Sequence, residues 1–478
     1  MSNLGSYVQE IFGTWRIVDK GFEGIGVLRI DNVDPLLELK LIRDETLDMD
    51  LIHSCQNKAL IITGKTMEEE ELTLIDCYLI SARQKSESHA EYLFRARCAF
   101  RDTEVDKESE PLLAGAQINY GDIVEWANLS HFEPFFDGDV SGIAWVAKEP
   151  VNAVVGDTRY SIFPVERTPP YSYSEYAQLE QAVAVLLDYE LPVPWQTILA
   201  DAKCLAQLMS FAKREHVGIQ GLSCKLATKQ EQNEMGNEAV RGVTDYKETI
   251  LPIRDKETQS TVYSFRYLFT LDELQEVGGL GTWLKHYPKL KPIMDLYLLH
   301  HSGKASTAEG YFLNLVQALE SFHRRFVANS VQEYRKSIED LLANIVPQSD
   351  RDYYYNLFLG NLSEKANDVP LRKRLIDLLY AEGQRPFILN MGQCEAFVDK
   401  VKDTRHYYTH YNPKKEQKRF RDEYYPGINT MLMIILEYHI MLLLGFDTEI
   451  AAERTVGELN PNWHEYYLSE QCLSQSNE

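Results

Sequence analysis

Arg405-His406-Tyr407-Tyr408-Thr409-His410 lies in a tyrosine-rich segment of helical period near the C-terminal end of a 478-residue chain. An arginine offers a planar fork of donors to a phosphate, and a histidine titrates near neutral pH, so it can move protons to or from ribose and leaving-group oxygens. RNA cleavage built from such a pair needs no metal. The spacing alone is a weak signal, because Arg83 and His89 are separated by a similar gap. Phe397, Val398 and Val401 form a core stripe that leads into Arg405, and Tyr411-Asn412-Pro413 predicts a helix end just after His410. On an ideal helix, residues five apart point about 140° from each other. Arg405 and His410 therefore converge only if the last turn loosens or a second subunit completes the site.

Directly downstream, Lys414, Lys415, Lys418, Arg419 and Arg421 put five basic residues into eight positions. With Tyr407, Tyr408 and Tyr411 they are candidates for RNA binding, the charges on phosphates and the rings on unpaired bases. A solvated loop is the plainer reading of such a charge run. Upstream, Tyr311 to Phe322 forms an amphipathic helix with Glu320 close to its apolar face, placed either to orient Arg405 or to pair with Arg324 four residues on. The candidate catalytic residues from this pattern are Arg405 and His410, with Glu320 as a group that could orient the arginine. No metal is expected: His406 and His410, or His300 and His301, have no nearby Cys or carboxylate array to complete a site. Gly24-Ile25-Gly26 and the glycines near 280 lack the strand, helix and acidic residue of a dinucleotide fingerprint and read as turns and a hinge.

Working outward, helical periodicity covers Lys291 to His301, Ala308 to Ala328, Val331 to Val346, Leu371 to Glu382, Gln393 to Thr409 and Glu423 to Leu444, which predicts a bundle. The first part of the chain alternates instead. Leu37, Leu39 and Leu41 alternate with Glu38 and Lys40, and Phe94, Ala96, Cys98 and Phe100 with Arg95, Arg97 and Arg101. Further strands are predicted at Gly26 to Asp31, Ala59 to Thr63, Leu72 to Ile80, Tyr160 to Val165, Ser223 to Leu226 and Thr261 to Thr270. A helix is predicted from Trp195 to His216. The expected fold is α+β: an antiparallel β-rich sandwich or barrel-like region with an inserted helix over residues 1–275, a helical bundle over 285–465 and a flexible tail over 466–478.

A formal charge of −23 argues against non-specific coating of nucleic acid, so any RNA contact must be locally focused. The seven cysteines are scattered, with no Cys-x-x-Cys pair, which disfavours a disulfide framework and a structural zinc site. The most apolar stretch, Thr430 to Leu444, contains Glu437 and His439, is shorter than a bilayer span of about 20 residues, and reads as a buried helix. The start of the chain has no basic flank followed by an apolar run, so a cytoplasmic protein without a membrane is expected. No Gly-x-Ser-x-Gly turn favours a hydrolase triad.

Ala318 to Phe322, the hexapeptide and the apolar final helix together resemble a HEPN domain. Joined to a β-rich amino-terminal region, they resemble the ApeA-like anti-phage defence family. The resemblance implies a metal-independent endoribonuclease without cofactors that cuts host or phage RNA, tRNA among the candidates, during infection. It implies two Arg-x4-6-His motifs facing one groove in a homodimer. Arg405 and His410 match the two defining positions, His406 the polar position after the arginine and Glu320 the acidic residue of the first bundle helix. The β-rich region is then expected to sense a phage protein or restrain the bundle. The alternatives are a non-catalytic HEPN scaffold that binds nucleotides or proteins, and a carbohydrate- or peptide-binding β-domain with a helical dimerisation tail.

Overall fold

Alternation from Ile11 to Ile17 is strict: Ile11, Gly13, Trp15 and Ile17 are buried while Phe12, Thr14 and Arg16 are exposed. Such a strand needs a core on one face only. The computed structural model describes residues 8–101 apart from 19, 21, 32–35, 44–45 and 56–57; 112–167 apart from 139; 180–227; 247–250; 266–299; 307–327; 369–411 apart from 381–385 and 388–390; 413–457; and the positions 336, 340, 343–344, 347, 350, 353–354, 459 and 467. The chain forms two compact units, Met1–Met209 with Val217–Thr261, and Ser210–His216 with Val262–Glu478.

The first unit begins with β1 (Val8–Ile17), β2 (Phe22–Asp31), β3 (Leu36–Arg43), α1 (Met49–Cys55), β4 (Leu60–Thr66), β5 (Glu71–Ser86) and β6 (His89–Ala96). These six strands close on themselves: β1 pairs with β2 and β4, β2 with β3, β3 with β6, β6 with β5 and β5 with β4, all antiparallel. Closure removes the open edges that a free sheet would expose. Trp15, Leu28, Leu39, Ile62, Leu74 and Phe94 fill the interior with no exposed surface, each burial worth about 1.5–3 kcal/mol. Asp76 adopts a left-handed φ of 53° within β5, which an aspartate tolerates better than most residues. Before this kink β5 pairs with β7 (Cys98–Arg101), and after it with β6.

Beyond β7 the same sheet continues through β15 (Lys247–Ile250), β14 (Ile219–Leu226), β8 (Leu112–Tyr120), β13 (Glu180–Pro194), β12 (Thr158–Arg167) and β11 (Val151–Val155). The short α2 (Val124–Ala127) and a separate hairpin, β9 (Phe132–Asp137) with β10 (Val140–Trp145), lie between β8 and β11 in sequence. The helix α3 (Trp195–Lys213) docks on this part through Tyr120, whose hydroxyl donates to the Ala202 carbonyl at 2.8 Å, and Tyr189, whose hydroxyl donates to Asp201 at 2.8 Å. Burial pushes the Asp201 carboxyl up, against the Tyr189 and Tyr160 hydroxyls that stabilise its anion.

The second unit comprises α4 (Leu271–Glu276), α5 (Gly279–Tyr297), α6 (Ala308–Phe326), α7 (Leu371–Leu379), α8 (Met391–His410), α9 (Pro413–Glu416), a 3-10 turn at Asp422–Tyr424, α10 (Tyr425–Leu444) and α11 (Thr448–Val456). The α10 helix is buried on nearly every side. The stretch Asp422–Leu444 is long and apolar enough to cross a membrane, yet 78% of its most apolar window is buried within the protein. Its one carboxylate, Glu437, is fully buried and accepts from Arg214 Nε at 3.1 Å and from the Tyr297 hydroxyl at 2.5 Å. Arg214 Nη2 also donates to the Thr455 carbonyl at 2.7 Å. A buried charge persists only with such partners.

Four expectations need correction. Gly24 and Gly26 are not in a turn but inside β2: a Cβ on Gly26 would lie 2.5 Å from the Lys40 carbonyl oxygen and 3.2 Å from the Trp15 ring. The glycines near 280 form no hinge. Gly278 caps α5 in the left-handed region, and a Cβ on Gly279 would lie 2.4 Å from Leu274. The helix placed at Lys291 starts twelve residues earlier and carries Pro288 and Pro292 within it, because Trp283, Leu290, Ile293, Met294 and Tyr297 are all buried on its core face. Arg266 to Thr270 is no strand; it leads into α4, where the Thr270 hydroxyl and Glu273 carboxylate form a reciprocal capping box. Residues 261–265, most of the helix expected from Val331 to Val346, and Glu382 lie outside the described residues.

Candidate functional site

Cys394, Phe397, Val398, Val401 and Thr404 are the buried stripe of α8, spaced three or four apart as a one-sided helix requires. Arg405 follows directly. Its Nη2 lies 3.6 Å from Glu320 Oε2 on α6, and Glu320 Oε1 also accepts from Arg324 at 3.3 Å. Glu320 thus stands beside both of the arginines named as its possible partners. The Arg405 side chain stays 42% exposed and Glu320 20%, so the guanidinium is anchored at one edge with part of its fork in solvent. Behind them, the buried Arg374 of α7 donates to the Val369 carbonyl at 2.7 Å and to the Glu320 carbonyl at 3.5 Å.

The last turn of α8 does not loosen. The Tyr411 amide donates to the Tyr407 carbonyl and the Thr409 hydroxyl to the Arg405 carbonyl at 2.8 Å. Tyr411 then takes a left-handed φ of 45°, which ends the helix. Regular geometry to His410 leaves Arg405 and His410 pointing about 140° apart within one chain. The structure brings together Arg405 with Glu320, and His406 with His410, whose ring centroids are 4.8 Å apart. It does not turn the two pairs toward each other. His410 is exposed and His406 half-buried. Among the described residues no group of three His, Cys, Asp or Glu gathers as a metal site requires.

Tyr407, Tyr408 and Tyr411 form a ring cluster with centroids 5.0–6.4 Å apart. Arg419 sits against it, its guanidinium carbon 5.6 Å from the Tyr407 centroid and 5.9 Å from that of Tyr408. It is paired with Asp422 and donates to the Tyr408 hydroxyl at 3.3 Å and the Phe420 carbonyl at 3.0 Å. The hydrogen bond to Asp422 raises its already high pKa further. Lys415 is tied to Asp403 at 2.7 Å. Lys414 and Lys418 are exposed, and Arg421 lies 3.9 Å from Glu423, so three of the five cations stand beside neighbouring carboxylates.

Thr404, Tyr425, Asp403, Asp422 and Arg374 also build the site, and the sequence reading omitted them. Thr404 Oγ1 accepts from the Phe420 amide at 3.0 Å, which ties the loop after α9 back onto α8. Its signal was present: a hydroxyl at a core position, three residues after Val401. Asp422, three residues after Arg419, was also recoverable. Tyr425, whose hydroxyl lies 3.0 Å from that of Tyr408, comes from the start of α10 and left no local trace. Burial pushes the Tyr408 and Tyr425 hydroxyls up, so both stay protonated at neutral pH.

A family model described as ApeA N-terminal domain 1 matches residues 10–283, and one described as Apea-like HEPN matches residues 313–450. The chain belongs to the ApeA family. As an ApeA-like anti-phage defence protein, it carries its HEPN domain in the second unit, and that match contains α8 with both Arg405 and His410. No curated protein and no solved structure matches the chain.

Proposed function

We propose that this ApeA-like protein is a metal-independent endoribonuclease whose cutting site is shared by two HEPN domains. Arg405 binds the scissile phosphate and stabilises the charge that grows in the transition state. His410 takes the proton of the ribose 2′-hydroxyl as its oxygen attacks phosphorus. The P–O5′ bond breaks, and the leaving oxygen takes a proton from water. The products are a 2′,3′-cyclic phosphate and a 5′-hydroxyl. The tyrosine cluster stacks unpaired bases, and Lys414 and Lys418 contact flanking phosphates. The β-rich unit senses a phage component or restrains cutting.

One observation carries this reading: an arginine held by Glu320 with its fork half open, and an exposed histidine on the same unbroken helix. Their divergence in one chain supports a paired arrangement, since two such helix ends facing each other supply both groups to one phosphate. The test is total RNA incubated with the purified full chain and a chelator. Defined fragments with cyclic phosphate ends are expected, reduced by roughly 100-fold or more in Arg405→Ala and in His410→Ala. Unchanged cutting by either variant would remove that residue from the mechanism.

A further inference from the structure

Among the described strands the β9–β10 hairpin pairs only with itself, and its two faces differ. Residues paired across an antiparallel ladder share a face. Phe132 pairs with Trp145, Pro134 with Ile143 and Phe136 with Ser141, so one face is almost wholly apolar. On the other face Phe135 folds over Gly142, where a Cβ would lie 2.6 Å from the ring. The apolar face stays in solvent: Phe136 is 82% exposed, and Ile143 and Trp145 are each 58% exposed. An isolated two-stranded hairpin is marginal in water, and a contiguous exposed apolar patch is unusual where single exposed apolar residues are not.

Charge decides what such a face receives. Between His131 and Glu149 the chain has four carboxylates, Glu133, Asp137, Asp139 and Glu149, against one lysine, Lys148, which is already paired with Glu133 at 2.7 Å. A second copy would bring the same acidic border against it. An anionic membrane surface is repelled for the same reason. Pro134 has no amide hydrogen to offer an added strand along β9, so the face, and not that edge, is what can be covered. We propose that the apolar face of the hairpin docks a protein partner with an apolar centre and a basic border. This does not depend on whether the HEPN domain cuts RNA.

The experiment uses the full chain and a labelled peptide with a leucine–valine centre and lysines at both ends, beside its counterpart with terminal glutamates. Binding of the lysine peptide is expected, weakened by salt and at least tenfold weaker with Phe136→Ser/Ile143→Ser. The single variant Phe136→Ser should show the same direction. Phe12→Ser/Ile25→Ser, also exposed but on the barrel, should bind as the wild type does. No binding of the lysine peptide, equal binding by the hairpin variants, or equal binding of the glutamate peptide would each overturn the proposal. So would Phe136-dependent sedimentation with phosphatidylglycerol vesicles, or Phe136-dependent self-association.

Discussion

Thr404 shows how narrowly the site is held. Its hydroxyl is fully buried and accepts the one amide that fixes Phe420, which in turn packs against Phe312 and Phe397. In Thr404→Val a methyl replaces that hydroxyl, and the Phe420 amide loses its partner where water cannot replace it. Such a loss costs about 1–3 kcal/mol, whereas the exposed Thr409→Val should change stability by no more than about 0.5 kcal/mol. Chemical unfolding of both variants checks this; equal midpoints would mean the Thr404 hydroxyl contributes nothing. The motif itself was legible because Arg405 follows directly on an apolar stripe and His410 stands just before a helix end marked by a proline. The basic run was less so. Its positive charges are plain in sequence, but Asp403 and Asp422 neutralise Lys415 and Arg419 through contacts that depend on how the chain turns after His410.

Among the elements, α10 carries a titration with a definite sign. His439 is buried, with Nε2 2.8 Å from the Leu378 carbonyl, and burial pushes its pKa down to about 4. The unfolded chain binds that proton near the ordinary value of about 6.5. Below that pH the unfolded state takes up a proton that the folded state refuses. The stability His439 lends is therefore fully present above pH 6.5 and falls between 6.5 and 4, by up to about 1.4 kcal/mol per pH unit. Burial lowers His323 too, against a partial offset from Asp377, which adds in the same direction. His439→Gln keeps a donor for Leu378 and removes the titration, so its urea midpoint should vary less across this window; curves of equal slope would exclude His439 as the cause. Element types were readable where one period persisted, as in β3 or α6. Barrel closure was not, because it depends on β5 changing partners at Asp76 and on pairings between strands far apart in sequence. The helix through Pro288 and Pro292 was missed because local propensity counts two lost amide donors and cannot count the buried face that outweighs them.

For the whole molecule, geometry and charge together bear on the proposed RNA cutting. A protein of charge −23 has little long-range attraction for a polyanion, so a single exposed arginine and histidine on diverging sides of one helix make a poor binding site. In the proposed dimer, two helix ends facing across a two-fold axis would double the local positive charge and place the arginine of one chain beside the histidine of the other. That arrangement has an arithmetic consequence. In a dimer of one Arg405→Ala chain and one His410→Ala chain, one of the two composite sites loses both groups and the other keeps both. Co-expressing the two chains with different tags and purifying through both should therefore recover roughly half the wild-type cutting rate, although each variant alone is inactive. If each chain instead used its own arginine and histidine, every site in the mixed dimer would lack one group, and the purified heterodimer would be as inactive as its parents.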